Sequence, residues 1–176
     1  MNIKNLVNKI HSSSFQGCFS ITGGGMKIID YLFQTPGSSK TILEILIPYS
    51  KNSLSDFLSN NLDSHVSHIE AIDMAEKSYL RSRALSNNSD IFGLSCTAAI
   101  STNRLRKGDD RAFIAWNSKL SNGYKSVLLE KSRRKRVEED IIISKIILNT
   151  ISKIIGINEY LNIDLYESEK IEEYNY

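Results

Sequence analysis

The sequence is short of several things, and each shortage argues against a class of protein. Its 176 residues hold only two cysteines, Cys18 and Cys96, far apart and without a Cys-x-x-Cys partner. That argues against a disulfide scaffold and a cysteine zinc site, and it fits a reduced, cytoplasmic setting. An excess of one charge is also missing: 22 basic against 20 acidic residues leave a formal net charge of +2. Overall charge therefore implies no nucleic-acid partner, and any anion site must be local. No apolar run is long enough to cross a bilayer; the best candidate, IIISKIIL, is broken by Ser144 and Lys145. The first residues, MNIKNLVNKIHSSSFQG, lack the continuous apolar stretch of a signal peptide, so no membrane partner is expected. There is no internal repeat and no linker. What is present is an ordinary globular balance, 41% hydrophobic and 24% charged, in a length that fits one domain with its own core.

Ile3, Leu6, Val7 and Ile10 fall at helical intervals and predict a helix over Asn2 to His11. Gly17 to Ile21 reads as a short buried strand. Glycines then turn the chain into a helix from Met26 to Phe33, which ends before Pro36 because the residue preceding proline avoids helical backbone. Thr41 to Ile47 is β-branched and apolar, a second buried strand closed by Pro48, and Ser53 to Leu58 is a short helix. Ser67-His68-Ile69-Glu70 fits the capping box that starts a helix, here running to about Leu85. A third strand follows from Ile91 to Ile100. Arg111 to Trp116 and Tyr124 to Leu129 pair as a hairpin around Ser121-Asn122-Gly123. A long helix over Val137 to Ile155, apolar around much of its circumference, closes the domain. The expected fold is a three-layer α/β/α sandwich with a mixed, mostly parallel sheet of about five strands. Residues 1–160 form the domain. The acidic, tyrosine-rich 161–176 is a tail that either packs or hangs loose.

Thr22-Gly23-Gly24-Gly25 follows a strand and opens a helix. Glycines there let backbone approach a ligand, and amides at a helix start favour an anion. The segment is neither a Walker A loop nor GxGxxG, since Ile28 stands at the last glycine position. It is either a tight turn or a phosphate seat. Arg104, Arg106, Lys107 and Arg111 crowd one loop, either a solvated charged loop or a phosphate clamp. Lys131 to Arg136 put more cations before the last helix, where its dipole disfavours them; Arg134–Glu138 and Arg136–Asp140 pairs offset this slightly. Cys96 has no histidine near it in sequence and reads as a small buried hydrophobe rather than a nucleophile. His65 and His68 have ligand-like spacing but no third ligand, so no metal is expected.

Ser20-Ile21-Thr22-Gly23-Gly24, Pro36-Gly37-Ser38-Ser39 and Pro48-Tyr49-Ser50 together resemble the CinA C-terminal domain family, which includes nicotinamide mononucleotide deamidases. That family shows Ser-Cys-Thr-Gly-Gly, then Pro-Gly-Ser-Ser, then an apolar strand ending in Ala-Tyr-Ser. The spacing from Ser39 to Tyr49 agrees, His65-Val66-Ser67 is similar to the family's Ala-Val-Ser helix start, and the likeness runs from about Gly17 to Ile155. The resemblance implies an α/β/α domain, a homo-oligomer, and a pocket for a pyridine or related nucleotide, with no cofactor. Its deamidases use a serine, a tyrosine and a lysine. Ser39 and Tyr49 match the first two as catalytic residues, but the lysine position holds Leu54. Leucine accepts no proton, and a serine without a base is a poor nucleophile; Lys40 and Lys51 are the neighbouring stand-ins. Cys96-Thr97-Ala98-Ala99 replaces the deamidases' Thr-Gly-Ile-Ala-Gly-Pro segment and is similar to a divergent CinA-like branch that also reads Pro-Tyr-Ser. The resemblance implies a nucleotide-like ligand whose phosphate rests on Thr22, Gly23, Gly24 and Gly25. Ser20, Ser38, Ser39 and Tyr49 would line the pocket, and Arg104 or Arg111 would close over it. An active amidase and a non-catalytic interaction module are the alternatives.

Overall fold

The computed structural model describes residues 1–59, 66–104 and 106–176. Along the chain come α1 (Ile3–His11), β1 (Gln16–Thr22), α2 (Lys27–Phe33), α3 (Ser38–Thr41), β2 (Ile42–Leu46) and α4 (Lys51–Leu58). Then follow α5 (His68–Leu85), β3 (Ile91–Ala99), β4 (Asp110–Ser118), β5 (Asn122–Leu129), α6 (Arg136–Ile154) and β6 (Lys170–Asn175). The sheet order is β2-β1-β3-β4-β5-β6. The first three strands are parallel, and β3 through β6 are joined antiparallel. The mixed sheet is the expected one; it carries six strands rather than about five, and its parallel part is confined to β2-β1-β3.

Side-chain size sets the two helical layers. On one face, Phe19, Ile21, Phe92, Leu94, Cys96, Ile114, Trp116 and Val127 meet α1, α2 and α6 in the main core. Leu6, Val7 and Ile10 of α1 are fully buried there, at roughly 1.5–3 kcal/mol each. The other face carries α5, which turns a stripe of small residues (Ala71, Ala75, Ser78, Ser82) to the sheet. A side-chain carbon at Gly93 would lie 2.1 Å from the Tyr79 amide nitrogen, so glycine there permits the helix to lie directly on β3. Ser67 caps α5 through the Glu70 amide at 3.2 Å.

The tail is part of the sheet. Asn149 of α6 bonds the backbone of Leu161 through both its amide groups, and Ser152 donates to the carbonyl of Glu159. These bonds tie the segment after α6 back onto the helix. β6 then pairs along β5, with Ile171 against the core and Glu173 paired to Lys153.

Candidate functional site

Parallel β1, β2 and β3 point their C-terminal ends to one rim, where open α/β sheets place ligands. The Thr22–Gly25 loop, Tyr49 and Ser101 all follow these ends. Gly23 has φ of +79°, and a side-chain carbon on it would sit 1.8 Å from the Ala98 carbonyl oxygen, so the loop lies hard against β3.

The amides beyond that loop do face an anion, and the protein supplies it. Asp140 of α6 accepts from Gly25 N–H at 2.8 Å and Met26 N–H at 3.0 Å on Oδ1, and from Lys27 N–H at 2.9 Å on Oδ2. Arg136, one turn earlier, donates to the Gly23 carbonyl at 2.9 Å and the Ser101 carbonyl at 3.1 Å. The expected pairs Arg134–Glu138 and Arg136–Asp140 do not form. α6 starts at Arg136, so Arg134 lies ahead of the helix; it pairs with buried Glu169 and lies 4.0 Å over the Tyr166 ring.

The other expected pocket residues separate. Ser20 is fully buried beneath α5, donating to the Met74 carbonyl at 3.2 Å and accepting from Ser78 at 2.9 Å. Thr22 is 6% exposed. Ser38 and Ser39 lie in α3, ahead of β2, whereas Tyr49 follows that strand's other end and is 66% exposed. The five residues of β2 hold them about 16 Å apart, so Ser39 and Tyr49 of one chain do not meet. Lys40 shares the Ser39 end, and exposed Lys51 opens α4 on the Tyr49 rim. Leu54 is 5% exposed and packs with Leu58 and Met74, a hydrophobic contact where the deamidases carry a base. Cys96 is fully buried facing the Gly24 carbonyl, and burial raises its thiol strongly. His68 stacks on Tyr124 at 5.3 Å, and His65 lies outside the described residues. Among the described residues, no three metal-ligating side chains gather.

Two concavities flank the Arg136 bridge. One is a groove of about 580 Å³ between α2 and α6, floored by Met26, Ile29 and Val137 and edged by Lys27, Asp30, Arg136 and Asp140. The other is a smaller basic hollow, about 180 Å³, among Ser101, Thr102, Asn103, Arg104, Arg106 and Lys131. In it Arg106 pairs with Asp110, while the Lys131 ammonium donates to the carbonyls of Arg106 and Gly108. No carboxylate of the described residues pairs with Arg104 or Lys131. Arg111 is elsewhere, on the α5 face of β4 over Phe113. Beside the hollow, buried Glu139 accepts from the Ser101 amide at 2.7 Å, and burial raises its carboxyl. Asp140, Arg136 and Lys131 organise the rim, and sequence reasoning gave none of them that role. Only the cations crowded ahead of an acidic helix start hinted at it.

No family model matches the sequence, and no curated protein matches it. Solved structures do match in shape. A competence-damaged protein (CinA) superfamily protein from Escherichia coli superposes with a TM-score of 0.67 at 13% identity, over 87% of this chain and 90% of that one. A competence/damage inducible protein from Agrobacterium tumefaciens gives 0.65 at 16%, over 89% and 96%. A CinA superfamily protein from Klebsiella pneumoniae gives 0.67 at 8%, over 89% and 99%. Among the described residues, no helix is long and apolar enough to cross a membrane. Likeness at these identities speaks for shape alone, and by shape the protein has the CinA superfamily fold.

Proposed function

We propose that the chain is a cytoplasmic CinA-fold domain that binds a nucleotide, or another phosphate-bearing small molecule, without hydrolysing an amide. The observation that carries this is the basic hollow, where three cations face a single carboxylate, Asp110, and two of them have no acidic partner. Guanidinium and ammonium groups around so small a space suit phosphate oxygens. The hollow takes the place of the glycine loop as anion seat, since Asp140 already holds the loop's amides. The apolar groove on the far side of Arg136 is large enough for a planar base. Absence of amide chemistry is supported by Leu54 in its apolar contact and by the length of β2 between Ser39 and Tyr49.

Thermal denaturation against a panel of mononucleotides and dinucleotides tests the binding. At least one raises the midpoint, and Arg104→Ala with Lys131→Ala together abolish the rise. No shift with any member of the panel, or an unchanged shift in the double variant, overturns the reading.

Ammonia release from nicotinamide mononucleotide stays at the buffer rate for the wild type and for Leu54→Lys. Wild-type turnover abolished by Ser39→Ala would establish the amidase instead.

A further inference from the structure

Three strand ends meet at the basic hollow. β3 leads into Ser101, β4 begins at Asp110, and β5 leads into Lys131. Antiparallel pairing brings those ends level: Asp110 lies opposite Leu129, and its neighbour Arg111 lies opposite Ala99. Side chains alternate along a strand, so Asp110 shares a face with Ala112 and Ile114, the face that meets α6. Its side chain is only 3% exposed although it lines the hollow.

One of the two Asp110 oxygens is engaged. Oδ1 pairs with Arg106, and no hydrogen bond among the described residues reaches Oδ2. A second carboxylate stands close behind. Glu139, in the first turn of α6, is fully buried; its Oε2 accepts from the Ser101 amide, and its Oε1 has no partner among the described residues. Burial raises the Glu139 carboxyl, and the nearby Asp110 charge adds to this against Arg106 and Arg134. Arg104 and Lys131 supply the remaining positive charge. The Lys131 ammonium gives two of its three N–H groups to the carbonyls of Arg106 and Gly108 and keeps one.

An anion seated on Arg104 and Lys131 therefore meets a carboxylate oxygen as well as cations. Two negative oxygens within hydrogen-bond range repel, and a proton shared between them relieves the repulsion. Hydrogen phosphate carries such a proton near neutral pH, and a phosphomonoester carries one when singly ionised. Its O–H donates to a carboxylate in a short, strong bond. Sulfate and phosphodiesters have no proton to give.

We infer that Asp110 sets the specificity of the hollow, accepting a hydrogen bond from a protonated phosphate and turning away oxyanions that carry no proton. This rests on the reading of the hollow as the phosphate seat, and it narrows the ligand to one with a terminal phosphate. An Asp110 that merely neutralised Arg106 would treat all these anions alike.

Calorimetric titration of the full chain with inorganic phosphate and with sulfate, near neutral pH and at one ionic strength, tests this. Phosphate binds at least about tenfold more tightly than sulfate. Asp110→Asn, whose amide donates to any oxyanion, brings sulfate within about threefold of phosphate. Equal binding of the two anions by the wild type, lost in Arg104→Ala with Lys131→Ala, overturns the inference and leaves the hollow an anion site. A preference for phosphate that persists in Asp110→Asn also overturns it. So does a wild type that binds no phosphate, and the nucleotide panel then decides the hollow itself. If Asp110→Asn unfolds, the wild type alone still answers: arsenate, which keeps a proton near neutral pH, binds like phosphate, and tungstate, which keeps none, behaves like sulfate. Arsenate failing to bind, or tungstate matching phosphate, overturns the inference.

Discussion

Replacing Asp140 by alanine lowers stability by about 3–4 kcal/mol and the melting midpoint by about 10 °C. The carboxylate accepts three backbone N–H bonds of 2.8 to 3.0 Å from consecutive residues, Gly25, Met26 and Lys27. Bonds to a charged acceptor contribute about 1.5–3 kcal/mol each, less than additively when one group accepts several. Alanine leaves those amides without an acceptor at the start of α2 and unties α6 from the glycine loop. Asp140→Asn falls between the two proteins, since its oxygen still accepts from two amides while its NH2 opposes the third. Inorganic phosphate, compared with chloride at matched ionic strength, raises the Asp140→Ala midpoint more than the wild-type midpoint, because it offers the amides a replacement anion. An Asp140→Ala midpoint within about two degrees of wild type would show that the three bonds are solvated equally well without the carboxylate.

That contact marks where reading the sequence stops. Glycines between a strand and a helix left two readings open, a tight turn or amides aimed at an anion, because local backbone geometry allows both. The anion comes from Asp140, 115 residues after Gly25, and no local pattern announces it. Elements with their own periodicity were legible: the Ile3–Leu6–Val7–Ile10 spacing gave α1, and Ser67 with Glu70 marked the start of α5. The capping box is only half made, for the Glu70 side chain goes to Thr97 on β3 instead of back to Ser67. Ser39 and Tyr49 looked like partners because motif spacing counts residues and not direction; a strand between two residues separates them. The acidic tail carried too few apolar residues to announce β6. What holds that strand is non-local: Ile171 on the core, Tyr174 on Tyr124, and Glu173 between Lys153 and Lys125.

Raising the pH from about 4 to about 9 costs the wild type roughly 3 kcal/mol through Glu70 alone, and Glu70→Gln removes that loss. Glu70 has no exposed surface, and its Oε2 has no hydrogen-bond partner among the described residues. Burial pushes its carboxyl up to about 7 from the ordinary 4.5; nearby Asp73 adds to this and the Thr97 hydroxyl, at 3.1 Å, opposes it. Because the folded chain holds this proton more tightly than the unfolded chain, the stabilisation is complete below about pH 4.5 and is lost as the pH rises to about 7. Above that both states are ionised, and the folded one carries a buried carboxylate with one oxygen unpaired, the costly arrangement. Glutamine has nearly the same shape and no charge to desolvate. The variant therefore matches the wild type near pH 4 and exceeds it at pH 8, the reverse of the usual result of replacing a buried residue. Glu139, also raised by burial, titrates in the same direction in both proteins, so the difference between the two curves isolates Glu70. Denaturant midpoints of the two proteins across this range measure it. Parallel curves, with the variant equally displaced at every pH, would mean that Glu70 is already ionised inside the fold and that its second oxygen has found a partner.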